Sequence, residues 1–158
     1  MRNSWLGFIL ICTLPILTQN CEGPQPQVSA VSTTPDQTVT KIEMDLSNFG
    51  VESAGFPTIK AIIDIKNDTS YCLVSYDDPK FKDRTYRLSE KDMDSVRHLV
   101  DRYDFKSLKA KYTVLETDQP TSTNIFYFQD STIKVEEDYG VTEGDFPLKE
   151  LYHLVYKF

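Results

Sequence analysis

The sequence predicts an α+β fold: an antiparallel sheet built from hairpins, with about two helices packed on one of its faces. Three observations support this class. Short runs of alternating or β-branched apolar residues recur from residue 42 onward. Two pairs of these runs are joined by short polar turns, and each pair is followed by apolar residues at helical spacing. Such an order is typical of an antiparallel sheet with its helices on one side.

The first hairpin and helix lie in the first half of the predicted domain. Strands 58–65 and 71–76 flank a turn at Asn67-Asp68, and a third strand, 84–88, leads into a helix. Ser89 is a natural N-cap for this helix, because its hydroxyl can accept a hydrogen bond from a free amide of the first turn. The helical spacing predicts a buried stripe of Met93, Val96, Leu99, Val100 and Tyr103.

The second hairpin and helix follow the same order. Strands 124–129 and 132–136 flank a tight turn at Asp130-Ser131, and a helix is expected to start near Pro147, where a proline suits the first turn. The apolar face of that helix is predicted to consist of Leu148, Leu151, Tyr152 and Val155. Two more short apolar runs predict strands at 42–46 and 111–115.

The N-terminal segment predicts export. Residues 1–20 carry one positive charge, Arg2, and an apolar run at 5–17 that suits a signal peptide and is too short to span a bilayer. Cys21 follows this run, at the place where bacterial lipoproteins are cleaved and acylated. We therefore expect a lipid anchor on Cys21, although Leu17 lies four residues before it instead of the three of a standard lipobox.

Two alternatives to lipidation are an uncleaved anchor and a soluble secreted product. Pro15 and the short length of the run argue against the first, and the nearest small-x-small site, at 28–30, lies far beyond the run. Residues 21–40, rich in Pro, Gln, Ser and Thr, are predicted to be a flexible tether, because they lack the apolar surface that ordering requires. Residues 41–158 then form a single domain, with a length that suffices for a hydrophobic core.

Charge and cysteine content restrict the partners and the chemistry. The net charge of −7 without any cluster of Lys or Arg argues against nucleic acid and against anionic lipid as binding partners. If Cys12 leaves with the signal peptide and Cys21 is acylated, Cys72 has no partner for a disulfide. Because Cys72 lies in an apolar strand with no basic neighbour in sequence, we expect it to be a buried structural residue.

Several short stretches of the domain resemble a known family. They are 86–89 before the first helix, 105–108 after it, the turn at 117–121 and the segment 147–151. In these the chain resembles the bacterial lipoprotein family called domain of unknown function 6438. The resemblance implies the fold and a location in the cell envelope, and it implies no known activity. That family typically has a pair of cysteines in its opening, which the matching stretch 53–57 lacks, so a redox or metal role of the pair does not carry over.

No residue pattern predicts an enzyme or a cofactor. The two histidines, His98 and His153, lie on separate predicted helices and form no His-x-x-x-His pair or similar metal-binding motif. No nucleophile elbow, phosphate loop or dinucleotide fingerprint occurs in the sequence. We therefore expect a non-catalytic protein without a cofactor.

The acidic segment 136–145 is the best candidate for a metal site. Its carboxylates and two glycines are oxygen-rich enough for calcium, but their spacing does not fit an EF-hand loop. The favoured interpretation is a solvated loop after a strand, with no metal. The candidate ligands are Glu136, Asp138, Glu143 and Asp145.

Two smaller features concern the surface. Asp130-Ser131-Thr132 matches an O-glycosylation pattern of some Gram-negative bacteria, which makes Ser131 a candidate acceptor at a hairpin tip; ordinary turn chemistry also explains the stretch. The face of the sheet that the helices leave uncovered is expected to serve as a contact surface. Phe126 and Phe128 share one face and Ile125 and Tyr127 the other, so one pair is a candidate for this surface, and we take Phe126 and Phe128. The alternative is that both pairs serve only core and cross-strand packing.

These observations predict a non-catalytic protein, held by its lipid at the outer membrane of the cell envelope, on its periplasmic or its surface side. Its expected partners are the membrane, through the anchor, and an envelope protein. The alternative is a periplasmic module that binds calcium or another ligand through the acidic segment.

Overall fold

The computed structural model describes residues 37–48, 51, 53, 55–140 and 146–157. These residues form one seven-stranded sheet and two helices, which confirms the predicted α+β class. In chain order the elements are β1 (Val39–Ser47), β2 (Thr58–Asp64), β3 (Thr69–Ser75), β4 (Arg84–Tyr86), α1 (Glu90–Arg102), β5 (Lys111–Thr113), β6 (Thr121–Phe128), β7 (Ile133–Tyr139) and α2 (Leu148–Tyr156). A 3-10 turn, Phe105–Ser107, follows α1.

The sheet has the strand order β4-β3-β2-β1-β6-β7-β5 and is mostly antiparallel. The exception is β5, which pairs with β7 in parallel, so the sheet is mixed. The long connection through α1 carries the chain from β4 at one edge of the sheet to β5 at the other edge. β1, which begins at the buried Val39 inside the predicted tether, is the central strand between the two hairpins.

Local side-chain chemistry explains the ends of the first hairpin and of α1. In the turn between β2 and β3, the Asp64 carboxylate accepts hydrogen bonds from the backbone and side-chain amides of Asn67, at 2.9 and 2.8 Å. At the start of α1, Ser89 and Asp92 form a reciprocal capping box, which confirms the predicted N-cap. Met93, Val96, Leu99 and Val100 are buried, as the helical spacing predicts. Tyr103, the fifth residue of the predicted stripe, is only partly buried, because the helix ends there and Tyr103 is its C-cap.

The helix α2 begins directly after Pro147, whose peptide bond with Phe146 is cis. Its predicted apolar face is buried as expected, and Tyr156 extends this face by one more turn. The two helices and one face of the sheet contribute to a single hydrophobic core, so both helices cover the same face of the sheet. The other face is left open to solvent.

The structure corrects the prediction that Phe126 and Phe128 form an interaction surface. Both side chains lie under the helices, 0 % and 4 % exposed. The ring of Phe126 lies 4.9 Å from that of Phe105, and the ammonium group of Lys106 lies 4.9 Å from the ring centre of Phe128. Strand alternation therefore places the other pair, Ile125 and Tyr127, on the open face.

The membrane-related predictions concern a part of the chain that the structure does not describe. Cys21, the predicted signal peptide and most of the tether lie outside the described residues. Within those residues, neither helix is long and apolar enough to cross a bilayer. The lipid anchor therefore stays a prediction.

Candidate functional site

A cluster of polar side chains lies on the covered face of the sheet, beneath α2. We call it the buried network; its six members are each no more than 2 % exposed. Two come from β6, two from β7 and two from α2: Ser122, Asn124, Glu136, Asp138, Tyr152 and Tyr156. Buried polar groups are costly unless they are hydrogen-bonded, so their concentration at one place in a small core is unusual.

The register of the hairpin β6–β7 brings the network together. Ser122 pairs with Asp138 and Asn124 pairs with Glu136, so four polar side chains form two cross-strand pairs on one face. Tyr152 and Tyr156 are four residues apart on α2, and their rings are stacked with centroids 5.4 Å apart, above these pairs.

Asn124 is the hub of the network. Its side-chain nitrogen donates to Glu136 Oε2 at 2.6 Å and to the Tyr152 hydroxyl at 2.8 Å. Its side-chain oxygen accepts a hydrogen bond from Ser122 Oγ at 3.2 Å. The Tyr152 hydroxyl in turn donates to Asp138 Oδ2 at 3.2 Å. One amide therefore links both strands of the hairpin to α2.

The direction of the remaining hydrogen bond follows from the number of available protons. Ser122 Oγ and the Tyr156 hydroxyl are 2.5 Å apart, and either atom can be the donor. Because the single hydroxyl proton of Ser122 is directed to Asn124, Tyr156 donates to Ser122. The hydrogen bonds then run in a fixed order from Tyr156 through Ser122 and Asn124 to the two carboxylates.

One atom of the network has no partner. Glu136 Oε1 is buried and forms no hydrogen bond with any residue that the structure describes. Burial, followed by the nearby carboxylates of Asp138 and Glu137, raises the pKa of Glu136 to about 7, against the opposing hydrogen bond from Asn124. Burial also raises the pKa of both Tyr152 and Tyr156, so these hydroxyls stay protonated. Glu136 is thus a buried acid of the network whose pKa lies near neutrality.

The prediction of a solvated acidic loop at 136–145 is wrong for its first part. β7 continues to Tyr139, and Glu136 and Asp138 are directed into the core rather than into solvent. The other two candidate calcium ligands, Glu143 and Asp145, lie outside the described residues. Among the residues that are described, no three His, Cys, Asp or Glu side chains are grouped as metal ligands. Glu136 and Asp138 are members of the buried hydrogen-bond network.

The remaining predicted site residues are not members of the buried network. His98 borders a shallow depression with Tyr103 and Phe146, and His153 is exposed on α2. Cys72 is fully buried, as predicted, and burial raises the pKa of its thiol. Ser131 lies at the exposed tip of the β6–β7 hairpin with a φ of 65°; its glycosylation stays a prediction.

The open face of the sheet carries a second feature, in which β7 has the reverse of the usual polarity. Its apolar residues Ile133 and Val135 are 58 % and 52 % exposed, while its carboxylates Glu136 and Asp138 are buried. Val135 is the last residue in a row of directly paired residues that crosses five neighbouring strands. We call this row the open-face row. The row consists, in order from β3 to β7, of Tyr71, Ile62, Glu43, Ile125 and Val135.

Charges on the open face neutralise one another in cross-strand and same-strand pairs. The three pairs are Lys41–Glu43 at 2.5 Å, Lys60–Asp45 at 3.4 Å and Lys111–Glu137 at 2.7 Å. Between the pairs, an open depression of about 670 Å³ lies over β1, β2 and β6. The hydroxyl side chains that line it are Ser47, Thr58, Thr121 and Thr123.

Strand alternation contained a signal for the buried network that the sequence analysis missed. Ser122 and Asn124 have the same parity as Phe126 and Phe128, and residues of one parity share a face of the sheet. Had Phe126 and Phe128 been assigned to the core, Ser122 and Asn124 would have been predicted to be buried as well. The sequence of β7 contained no such signal for its two buried carboxylates. Its alternation predicts that the apolar residues Ile133 and Val135 face the core, whereas the structure places Glu136 and Asp138 there.

Fold and network together define a small α+β domain with a polar core cluster under its C-terminal helix. The sequence model of the family described as domain of unknown function 6438 (DUF6438) matches residues 56–158, about two-thirds of the chain, and the chain belongs to this family. No curated protein and no solved structure matches the chain.

Proposed function

We propose that this chain is a non-catalytic protein of the cell envelope, anchored at the outer membrane through a lipid on Cys21, whose domain binds another protein through the open face of its sheet. The observation that carries the binding role is the reversed polarity of β7. A strand that only completes a fold directs its apolar residues to the core. In β7, Ile133 and Val135 face solvent instead, next to Ile125 of the neighbouring strand.

The charges of the open face determine the chemistry of the expected partner. The carboxylates of Glu43, Asp45 and Glu137 are each paired with a lysine, so this face presents little net charge. The chain as a whole has a net charge of −7, which disfavours a second copy of itself because like-charged molecules repel. We infer a partner with an uncharged, largely apolar surface, of the kind that protein interfaces have at their centre.

The burial of the reactive groups supports a role without catalysis. A catalytic group must contact its substrate, but the Cys72 thiol and the carboxylates of Glu136 and Asp138 are no more than 1 % exposed. Both histidines, His98 and His153, are exposed, and neither belongs to a group of three possible metal ligands among the described residues. The open face, by contrast, is accessible without any movement of the helices.

The anchor is tested by the intact mass of the mature protein extracted from native membranes. The expected spectrum shows a chain that begins at Cys21 and carries the mass of acyl groups. A chain that begins at another residue and lacks acyl mass would remove the anchor from the proposal. The same spectrum reports on Ser131, because glycosylation adds increments of sugar mass.

The binding surface is tested by photo-crosslinking in the native envelope. A crosslinking amino acid is placed at Ile62 or Val135 on the open face and, as a control, at the exposed Lys91 of α1. We expect a discrete adduct from both open-face positions and none from position 91, and loss of the adduct from position 62 when Val135→Asp is added. Equal adducts from all three positions, or none, would contradict the proposal. An adduct with twice the mass of the chain would identify a second copy instead.

A further inference from the structure

The buried network holds two carboxylates that follow each other on one face of β7. Glu136 is 0 % exposed and Asp138 is 1 % exposed. Glu136 forms no ion pair within the described residues, and its Oε1 atom has no hydrogen-bond partner there. A buried carboxylate without a counter-charge is expensive to ionise, and a second carboxylate nearby adds to this cost.

The groups that face Glu136 come from several elements. From β6, Asn124 donates one hydrogen bond to the carboxylate; from α2, the hydroxyls of Tyr152 and Tyr156 lie nearby and are neutral. On β5, Tyr112 pairs in register with Asp138. On β7 itself, Glu137 and Asp138 disfavour the charged form, and Lys134 is the cation that favours it. Negative neighbours therefore outnumber positive ones around this group.

The network also connects Glu136 to the position of α2. Asn124 divides its two amide protons between Glu136 and Tyr152, and Tyr152 donates to Asp138. Any change in the charge of Glu136 acts on the same amide and the same tyrosine that hold α2 to the sheet. A charge on Glu136 attracts the Asn124 amide more strongly and repels the Asp138 carboxylate, to which Tyr152 is bound.

We propose that Glu136 is a proton-binding site that controls how tightly α2 is held on the sheet. With its proton, Glu136 is neutral and the network is closed around a single negative charge. Without the proton, two negative charges lie side by side beneath α2, and the contact between α2 and the hairpin β6–β7 loosens. This inference goes beyond the proposed binding role and does not depend on the lipid anchor or on the open face.

The direct test is a carbon-13 NMR titration of the full chain with assigned glutamate side-chain carboxyls, from pH 4 to pH 9. We expect the Glu136 carboxyl to titrate with a midpoint near 7, well above the reference value of 4.5 for a glutamate side chain. The amide resonances of α2 are expected to shift with the same midpoint, and those of α1 are not. A Glu136 midpoint near 4.5, or α2 resonances that do not follow it, would overturn the proposal.

A second test uses two neighbouring substitutions with the same chemistry. Glu136→Gln removes the titrating group from the network, while Glu137→Gln changes the adjacent, half-exposed residue on the open face. The melting temperature of the wild type and of Glu137→Gln is expected to fall from pH 5 to pH 8, and that of Glu136→Gln is expected to lose most of this decline. A decline that persists in Glu136→Gln would contradict the proposal. If this variant does not fold, the titration of the wild-type protein decides.

Discussion

Glu136 and Glu137 are consecutive residues of β7 whose carboxylates lie on opposite faces of the sheet. Glu136 is fully buried and accepts a hydrogen bond from Asn124 at 2.6 Å. Glu137 lies on the open face, where its carboxylate is 2.7 Å from the ammonium group of Lys111. The same substitution at these two positions therefore probes the two features of the domain separately: the buried network under α2 and the charge-neutral open face.

The first prediction concerns the pH dependence of stability. Glu136 has a pKa of about 7 in the folded protein and about 4.5 in the unfolded chain, so between these values the folded state binds the proton more tightly. The contribution of Glu136 to the free energy of unfolding is therefore highest below pH 4.5, and it falls as the pH rises to about 7. The expected loss is about 3 kcal/mol, measured by urea denaturation between pH 4.5 and 8.

Because other carboxylates titrate at the acidic end of this range, the control is the difference between Glu136→Gln and the wild type at each pH. We expect this difference to grow between pH 5 and 7 and to stay constant above it, with the variant relatively more stable at high pH. A constant difference over the whole range would contradict the prediction.

The second prediction concerns Asp138→Asn. This substitution removes the nearest negative charge on the same face of β7 and keeps the shape of the side chain. Since the Asp138 carboxylate raises the pKa of Glu136, its loss is expected to lower the midpoint of the Glu136 titration toward 4.5. The carboxyl NMR titration measures the shift, and Glu137→Gln serves as a control with a smaller effect. A midpoint that rises in Asp138→Asn would show that the two carboxylates do not interact as like charges.

The third prediction is a double-mutant cycle on Ser122 and Tyr156. Ser122→Ala removes the acceptor for the Tyr156 hydroxyl and the donor for Asn124, both in the core, and is expected to cost about 1 to 3 kcal/mol of stability. Tyr156→Phe removes one donor and is expected to cost about 1 kcal/mol. The double variant is expected to cost less than the two changes together, because they break the same hydrogen bond.

Ser95→Ala is the matched control for this cycle, because Ser95 lies on α1 and its hydroxyl donates to the carbonyl of Lys91 in an exposed turn. Its expected effect is within about 0.5 kcal/mol. Strict additivity of Ser122→Ala and Tyr156→Phe would show that the two hydroxyls are not coupled.

The fourth prediction compares two adjacent isoleucines of β2. Ile63 is 0 % exposed in the core, and Ile62 is 45 % exposed in the open-face row. Ile63→Ala is expected to cost about 2 to 5 kcal/mol, because it leaves a cavity in a packed core. Ile62→Ala is expected to cost less than about 1 kcal/mol and to weaken partner binding instead. Urea denaturation and the crosslinking yield measure the two effects; a large loss of stability from Ile62→Ala would assign the open-face row to folding rather than binding.

Much of this fold follows from local sequence patterns. The turn at Asn67, the capping serine at Ser89 and the apolar face of α2 were all predicted, because each depends on residues within a few positions of one another. The parallel pairing of β5 with β7 was not, since it joins segments separated by β6. Alternation shows which residues of a strand share a face but not which face the helices cover, and for this reason the surface was expected at Phe126 and Phe128.

The last prediction concerns the thiols of the mature protein. Cys72 is fully buried in β3, and burial raises the pKa of its thiol, so the reactive thiolate is both rare and inaccessible. If Cys21 is acylated and Cys12 is removed with the signal peptide, a disulfide reagent is expected to find no reactive thiol in the native chain and one after unfolding in guanidinium. Cys72→Ala is the control, in which the thiol seen on unfolding disappears. A second thiol, reactive without denaturant and retained in Cys72→Ala, would show that Cys12 is not removed or that Cys21 carries no thioether-linked lipid. Either result would contradict the proposed anchor and leave the fold of the domain unaffected.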